Sequence, residues 1–505
     1  MADNLPADDP SLPAAGQWSL ERPLAWIARW TPWLLGLTTL AGAVLRVYHL
    51  GNKALWLDEA EVFWMSQGTL SELLANNAAH NSAPPLFVLL ISTVLRFATS
   101  EVALRAIPCI AGIALIPTVY LLARRYVEKP WALAAAALVA LSPTQVLLSQ
   151  QVREYSLAAL LAASLTLATQ AFLDRPEPRQ TLTLGAMTVV AVFTQYGLAL
   201  LGAALAAVTV LWLVRSRQPA RVWAWWAIVQ AAGLASVAAI VQLGLARQLA
   251  DGKGGVTRTV RYLAGGYWDR NVESPLAFII SRSEYLSGYA FPGAILLLLL
   301  ITGMLCATGD RSARRSLAIV VASLTIAIGA ALVHAYPFGG TRQNIYLTPM
   351  LYVMAAVGAA AIGGASARWQ PLAVVAALIA MTGLKGVRSY HLDVGMEPIP
   401  PLIAEFVEHR APGDELYVSS RTVPAFRYYN RESKLDWHGG LAVRRADSTS
   451  AVAQVDSLIQ RPGRLWLLFS DVPYERANVI RDRFSASGRL TTVRTLGSAA
   501  LYLVE

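Results

Sequence analysis

Charge is scarce in this chain. Only 15% of its 505 residues are Asp, Glu, Lys or Arg, while 55% are apolar and the mean hydropathy is +0.45. That balance excludes an ordinary soluble protein and places the chain among polytopic membrane proteins. Cysteine is scarcer still: Cys109 and Cys306 both lie inside apolar runs, which excludes a disulfide framework and leaves the redox compartment unread. The first twenty residues have no apolar core followed by a small-residue cleavage site, so they read as the flexible head of an uncleaved chain. No Gly-rich loop opens a helix in the strand context that a nucleotide requires, which disfavours a cytoplasmic nucleotide-sugar enzyme. Nothing points to nucleic acid as a partner.

The long apolar runs are abundant, and each needs about 20 residues to cross a bilayer. Arg22 and Arg29 precede the first run, Thr31 to Val47, which puts residues 1–30 in the cytoplasm. The piece from Ala83 to Phe97 is short and opens on Pro84 and Pro85, so it reads as an interfacial helix. The second span is then Ala103 to Ala123, running inward to Arg124 and Arg125. The remaining spans alternate: Trp131 to Leu148, Tyr155 to Leu173, Thr181 to Phe193, Leu198 to Val214, Val222 to Leu245, Phe291 to Ala307, Leu317 to Ala335, Ile345 to Gly363 and Pro371 to Leu384. The expected architecture is a polytopic α-helical membrane protein of about eleven spans, residues 31–390, with interfacial helices after the first. Its external loops are 48–102 and 246–290. From about residue 391 the composition turns soluble, and "DELYVSS", "RLWLLFS" and "AALYLVE" read as strands of a small external α/β domain, 391–505.

This topology collects the polar features on one face. "WLDEAEVFW", the turn from Leu147 to Leu157, the break from Thr194 to Gly197 and "YPFGGTRQN" from Tyr336 to Asn344 all fall outside. Ionisable residues at mid-membrane and repeated broken spans, the marks of a transporter, are lacking. On the residues alone, Asp58 with Glu61 three positions later reads as a reciprocal helix cap.

In order and spacing, "WLDEAEVFW", "NSAPPLFVLLISTVLRF", "SEVALRAIP", "LLARRYVEK" and "LSPTQVLLSQQVREYSL" resemble the C-type membrane glycosyltransferases. The likeness is to the bacterial branch related to protein O-mannosyltransferases and lipid A aminoarabinose transferases. It covers Leu45 to Tyr196 well, "YPFGGTRQNIYLTP" moderately and the last domain in outline. It implies transfer of a monosaccharide from a polyprenyl-phosphate carrier to an envelope acceptor of unknown kind on the outer face of the inner membrane. Asp58 is then the general base that takes the acceptor's hydroxyl proton, and Glu59 completes an acidic pair. Cap and base can coexist in Asp58.

"SQQVREYSL" departs from the family in placing Gln151 where an acid is common, although Arg153 and Tyr155 stay. Arg153, at an external helix start, suits a phosphate; the alternative is an interfacial anchor. Gln195 stands where relatives often carry His, and Gln195, Tyr196 and Tyr155 are expected as pocket lining. Gly339, Gly340 and Arg342 present backbone N–H groups and a cation to the departing phosphate, or form a turn with a snorkelling Arg. Arg258 and Arg261, with Lys253, Arg270, Tyr262, Tyr267 and Trp268, clamp the carrier or contact membrane lipid. Phe426, Tyr428, Tyr429 and Trp437 read as core of the last domain or as an acceptor surface. No cofactor is indicated, and a divalent metal stays open. The expected function is an inverting glycosyltransferase; the alternative is a non-enzymatic lipid-linked glycan transporter or envelope-assembly scaffold.

Overall fold

The computed structural model describes residues 21–246, 248, 262–290, 294–306, 311–365, 397–441, 456–460, 463–470 and 482–505. The expected span Pro371 to Leu384, and Lys253, Arg258 and Arg261, lie outside these residues.

Each of the other expected spans coincides with a helix. They are α1 (Glu21–Val47), α5 (Glu101–Ala123), α6 (Lys129–Leu141) continued by α7 (Pro143–Ser149), α8 (Tyr155–Asp174), α9 (Pro178–Thr194), α10 (Tyr196–Arg215) and α11 (Ala220–Ile240), then helices Ala294–Cys306, Arg311–Leu332 and Thr348–Ala365. Among the described residues, six helices are long and apolar enough to cross a membrane, and α6 with α7 makes a seventh, bent by 55°. The bend follows from "LSP", since Pro143 cannot continue the α6 ladder and Ser142 caps α7 through the Gln145 N–H. On α1, Trp33, Leu37, Leu40 and Val44 are exposed at helical spacing, which fits a face turned to lipid.

Between α1 and α5 run three shorter helices: α2 (Leu57–Met65), α3 (Leu70–His80) and α4 (Leu86–Leu95). The last is the expected interfacial piece. Its ten apolar-rich residues are too short to span.

At the C-terminal end, strands β1 (Glu415–Ser419), β2 (His438–Leu441), β3 (Leu465–Phe469), β4 (Leu490–Leu496) and β5 (Ala499–Val504) form one sheet, ordered β2-β1-β3-β5-β4. The β1 strand lies parallel to β2 and β3, and β5 is antiparallel to both β3 and β4. Helices Ile399–His409 and Val423–Ser433 accompany it. Its core does not close on itself. Phe426, Tyr428, Ile399, Phe406 and Trp466 belong to the same buried cluster as Phe63 of α2 and Phe87 and Ile91 of α4. The sheet is therefore fastened to the first loop of the membrane part.

Candidate active site

Asp58 reaches its position through α2. This helix starts after Trp56, which has extended backbone and no capping side chain, so Asp58 is not its cap. Asp58 and Glu59 instead occupy the first turn, where negative charge suits the helix N-terminus. Sequence neighbours on a helix do not share a face, and the two acids part. Glu59 turns inward and is 1% exposed; Asp58 opens onto a cleft of about 260 Å³.

The cleft gathers residues from six parts of the chain, Tyr262 among them. Trp56, Asp58 and Glu61 come from the start of α2, His80, Asn81 and Ser82 from the end of α3, Arg153 and Tyr155 from the start of α8, and Arg342 and Gln343 from a 3-10 turn, Arg342–Leu347. Arg421 enters from the turn after β1. At the centre, Arg342 Nη2 donates to Asp58 Oδ2 at 2.7 Å. The Arg342 guanidinium also lies 5.3 Å from the Trp56 ring centroid and 5.5 Å from that of Tyr155. Arg153 stands 5.5 Å from the same Tyr155 ring and pairs with Glu154 at 3.3 Å. Burial alone would lower the affinity of Arg153 for its proton, but Glu154, Tyr155 and Asp58 outweigh it, and the guanidinium is held charged. Two guanidiniums thus flank one carboxylate and one aromatic ring.

An apolar cavity of about 270 Å³ adjoins this cleft, sharing Ser82, Tyr155 and Gln343 with it. Its walls are Val192, Ala199, Leu200, Val237 and Ile240, with Glu154, Gln195 and Tyr196 at the polar end. Through Val192, Ala199 and Val237 it meets a further cavity of about 410 Å³ among α8 to α11. Charge at one end and a long apolar recess at the other suit an amphiphile. Among the described residues, no group of three or more His, Cys, Asp or Glu could hold a metal ion.

Residues 82–241 match the family described as dolichyl-phosphate-mannose-protein mannosyltransferase. The fold is similar to that of ArnT from Cupriavidus metallidurans bound to undecaprenyl phosphate, with a TM-score of 0.52 and 15% identity over 94% of this chain and 98% of that one. The same protein in the apo state gives 0.51 and 14% over the same shares. This chain resembles the C-type membrane glycosyltransferases. A comparison with curated proteins finds no match.

Within this fold, Asp58, Arg153, Tyr155 and Arg342 come together in one cleft, with Gln195 and Tyr196 lining the adjoining cavity. Gln195 Nε2 donates to the Gln343 carbonyl at 3.4 Å, and the Tyr196 hydroxyl donates to Gln248 Oε1 at 2.8 Å. Glu59 must be corrected. Its carboxylate accepts from Arg105 Nε at 3.0 Å, from Arg105 Nη2 at 2.7 Å and from the Val152 N–H at 2.8 Å. Both oxygens are committed to a buried ion pair that ties the first loop to the residues before α8.

The two glycines are also corrected. Neither Gly339 nor Gly340 lines the cleft. A Cβ on Gly340 would collide with the Tyr285 carbonyl, and Gly339 has φ +127, so this turn needs glycine to lie against the helix Pro275–Ala290. Gln151 is buried outside the cleft, so an amide there costs the cleft no charge. Its neighbour Gln150 donates to the carbonyls of Leu45, Arg46 and Tyr48 at the end of α1. Of the residues expected to clamp the carrier or contact lipid, Tyr262 lines the Asp58 cleft and Tyr267 the apolar cavity. Phe426 and Tyr428 are buried in the cluster that the sheet region shares with α2 and α4.

Sequence reasoning missed Arg421, Gln343 and Glu397. Gln343 was within reach, since it follows Arg342 in "TRQN". Glu397 accepts from the Leu57 N–H at 3.0 Å, a contact that no local pattern announces.

Proposed function

We propose that this protein transfers a monosaccharide from a polyprenyl-phosphate carrier to a hydroxyl of an envelope acceptor, by a single inverting displacement on the outer face of the inner membrane. The observation that carries the reading is the Asp58–Arg342 pair, placed where a charged cleft opens into an apolar recess between helices. A polyprenyl-phosphate sugar has this same division, with an anionic linkage and sugar at one end and an apolar chain at the other.

The geometry supports the following roles. The carrier chain occupies the recess among α8 to α11, where packing against its apolar walls replaces contacts with lipid tails. The linking phosphate takes the guanidinium of Arg342, with Arg153 close by. That exchange withdraws Arg342 from Asp58, and the freed carboxylate accepts the proton of the acceptor hydroxyl. The acceptor oxygen forms its bond to the anomeric carbon as the bond from that carbon to the phosphate oxygen breaks. Negative charge grows on the departing polyprenyl phosphate, where two fixed cations stabilise it. The family likeness and the undecaprenyl phosphate bound by the structurally similar ArnT support this reading. All eleven expected spans and the external placement of residues 391–505 belong to it.

Sealed vesicles of known orientation test it. Release of free polyprenyl phosphate, matched by glycosylated acceptor, is expected only where donor and acceptor reach the face bearing the C-terminal sheet. Carrier movement without any new glycosidic bond would instead favour the non-enzymatic transporter or scaffold.

A further inference from the structure

We propose that Glu397 is a positioning residue for transfer: by accepting the first N–H of α2, it makes the C-terminal sheet region hold Asp58 at the cleft. The inference rests on reading Asp58 as the base. It gives the C-terminal region a part in the chemistry itself.

The start of α2 has no cap of its own. The Trp56 carbonyl takes the Glu59 and Ala60 N–H groups, but the Trp56 side chain caps nothing, so the Leu57 N–H has no partner within the helix. The C-terminal region supplies what is missing. Glu397 Oε2 accepts from the Leu57 N–H at 3.0 Å, and the Tyr429 hydroxyl accepts from the Leu55 N–H at 2.7 Å. Near the other end, Trp64 Nε1 donates to the Pro424 carbonyl at 3.0 Å, and the Phe63 ring meets Tyr428 edge-on at 4.8 Å. Both ends of this nine-residue helix are therefore set from the far end of the chain.

Position matters because Asp58 is the second residue of the helix. A helix start without a partner is electropositive and draws the nearest carboxylate. With Glu397 absent, that carboxylate is Asp58, and turning back onto its own helix would take it from Arg342 and the cleft. Glu397 satisfies the helix start and leaves Asp58 for the substrate.

The surroundings of Glu397 also make it responsive to pH. It is 6% exposed, and it faces the Leu57 N–H and Asp58 from α2, Arg421 from the turn after β1 and Ser470 from the end of β3. Burial pushes its carboxyl up to about 7, against the opposing pull of the Leu57 N–H, Arg421 and Ser470, while Asp58 adds to the rise. The ionised form is the stronger acceptor, and its charge favours proton uptake by Asp58. Transfer should therefore gain a limb that rises through about pH 7.

Full-length wild type, Glu397→Ala and Glu397→Gln in membrane vesicles that supply their own donor and acceptor provide the test, with hydrogen exchange of residues 55–65 read alongside the transfer rate. In Glu397→Ala, α2 should exchange roughly 3- to 30-fold faster, and transfer should fall about 10- to 100-fold. Glu397→Gln keeps an acceptor, so it should restore α2 protection and most of the rate but lack the limb near pH 7. Unchanged α2 exchange in Glu397→Ala, or faster exchange at an unchanged rate, overturns the proposal. If the Ala variant does not fold, the Gln variant decides, and a limb near pH 7 that persists in it overturns the proposal. An Asp58→Asn protein with wild-type transfer overturns the base reading and this proposal with it. That failure is told apart from the others because α2 exchange still responds to Glu397.

Discussion

Replacing Glu59 by Gln separates the two neighbouring acids. Glu59 and Arg105 form a two-point pair in which the side chains are 1% and 2% exposed, and Arg105 also donates to the carbonyls of Leu50, Lys53 and Ala54. Removing one member of such a buried pair costs about 3–5 kcal/mol, because the remaining charge has no counter-ion. Gln keeps the shape and one carbonyl oxygen that can still accept from Arg105 or Val152, so about 2–3 kcal/mol is expected. Unfolding in mixed micelles measures this. A Glu59→Gln/Arg105→Met double variant should be more stable than the sum of the single changes by at least about 1 kcal/mol, since it removes both charges together. Transfer per folded molecule should stay within about tenfold, as Glu59 touches no substrate. A Glu59→Gln protein of native stability that has lost transfer by a hundredfold or more would refute this reasoning and return Glu59 to the reacting centre.

Arg342→Ala should weaken donor use by about 1.5–3 kcal/mol, the worth of a charge-assisted hydrogen bond, and Arg342→Lys should recover only part, since an ammonium lacks the planar fork; donor titration with wild-type kinetics in the Ala variant would remove Arg342 from the site. Ala199→Trp fills the junction of the two apolar cavities, so the KM for a long-chain carrier should rise about tenfold or more while a short-chain analogue is spared. Equal effects on both chain lengths would place the carrier elsewhere. Glu397 has a folded-state value of about 7 against an ordinary 4.5, so its contribution to stability is present below pH 4.5 and lost as pH rises through 7. The difference, 7 − 4.5 = 2.5, corresponds to about 3 kcal/mol at 1.36 kcal/mol per unit. Apparent Tm measured from pH 4 to 8 should fall more steeply for wild type than for Glu397→Gln; parallel curves would contradict the assignment.

The membrane part was legible because bilayer thickness imposes long apolar runs, and their helices fall where the runs do. The cleft was legible only in part: Asp58, Arg153 and Arg342 stand out as polar residues beside such runs, but on the residues alone Asp58 reads as a helix cap, and the family resemblance is what marked it as a base. Glu59 misled because the sequence shows adjacency but not the turn of the helix between neighbours. The actual capping box lies on α3, where Thr69 accepts from the Glu72 N–H and Glu72 returns to the Thr69 N–H. Strands β1, β3 and β5 carry dense apolar residues and were readable. In contrast β2, "HGGL", holds two glycines, and β4 is an edge strand with mostly polar, outward-facing residues, so neither shows a two-residue period of apolar positions. Glu397 was illegible for a deeper reason. Its partner lies 340 residues away, and only the packing of the sheet against α2 and α4 brings the two together.

The central claim is that Asp58 takes the acceptor's proton, and sugar transfer by purified Asp58→Asn tests it most directly. The amide oxygen can still accept from Arg342, and Asp58 does not cap α2, so the variant should unfold within about 1 kcal/mol of wild type. An amide does not take up a proton at neutral pH, so transfer should fall by about a hundred- to ten-thousand-fold while a polyprenyl-phosphate carrier still binds. A correctly folded Asp58→Asn protein that transfers sugar at the wild-type rate would contradict the account.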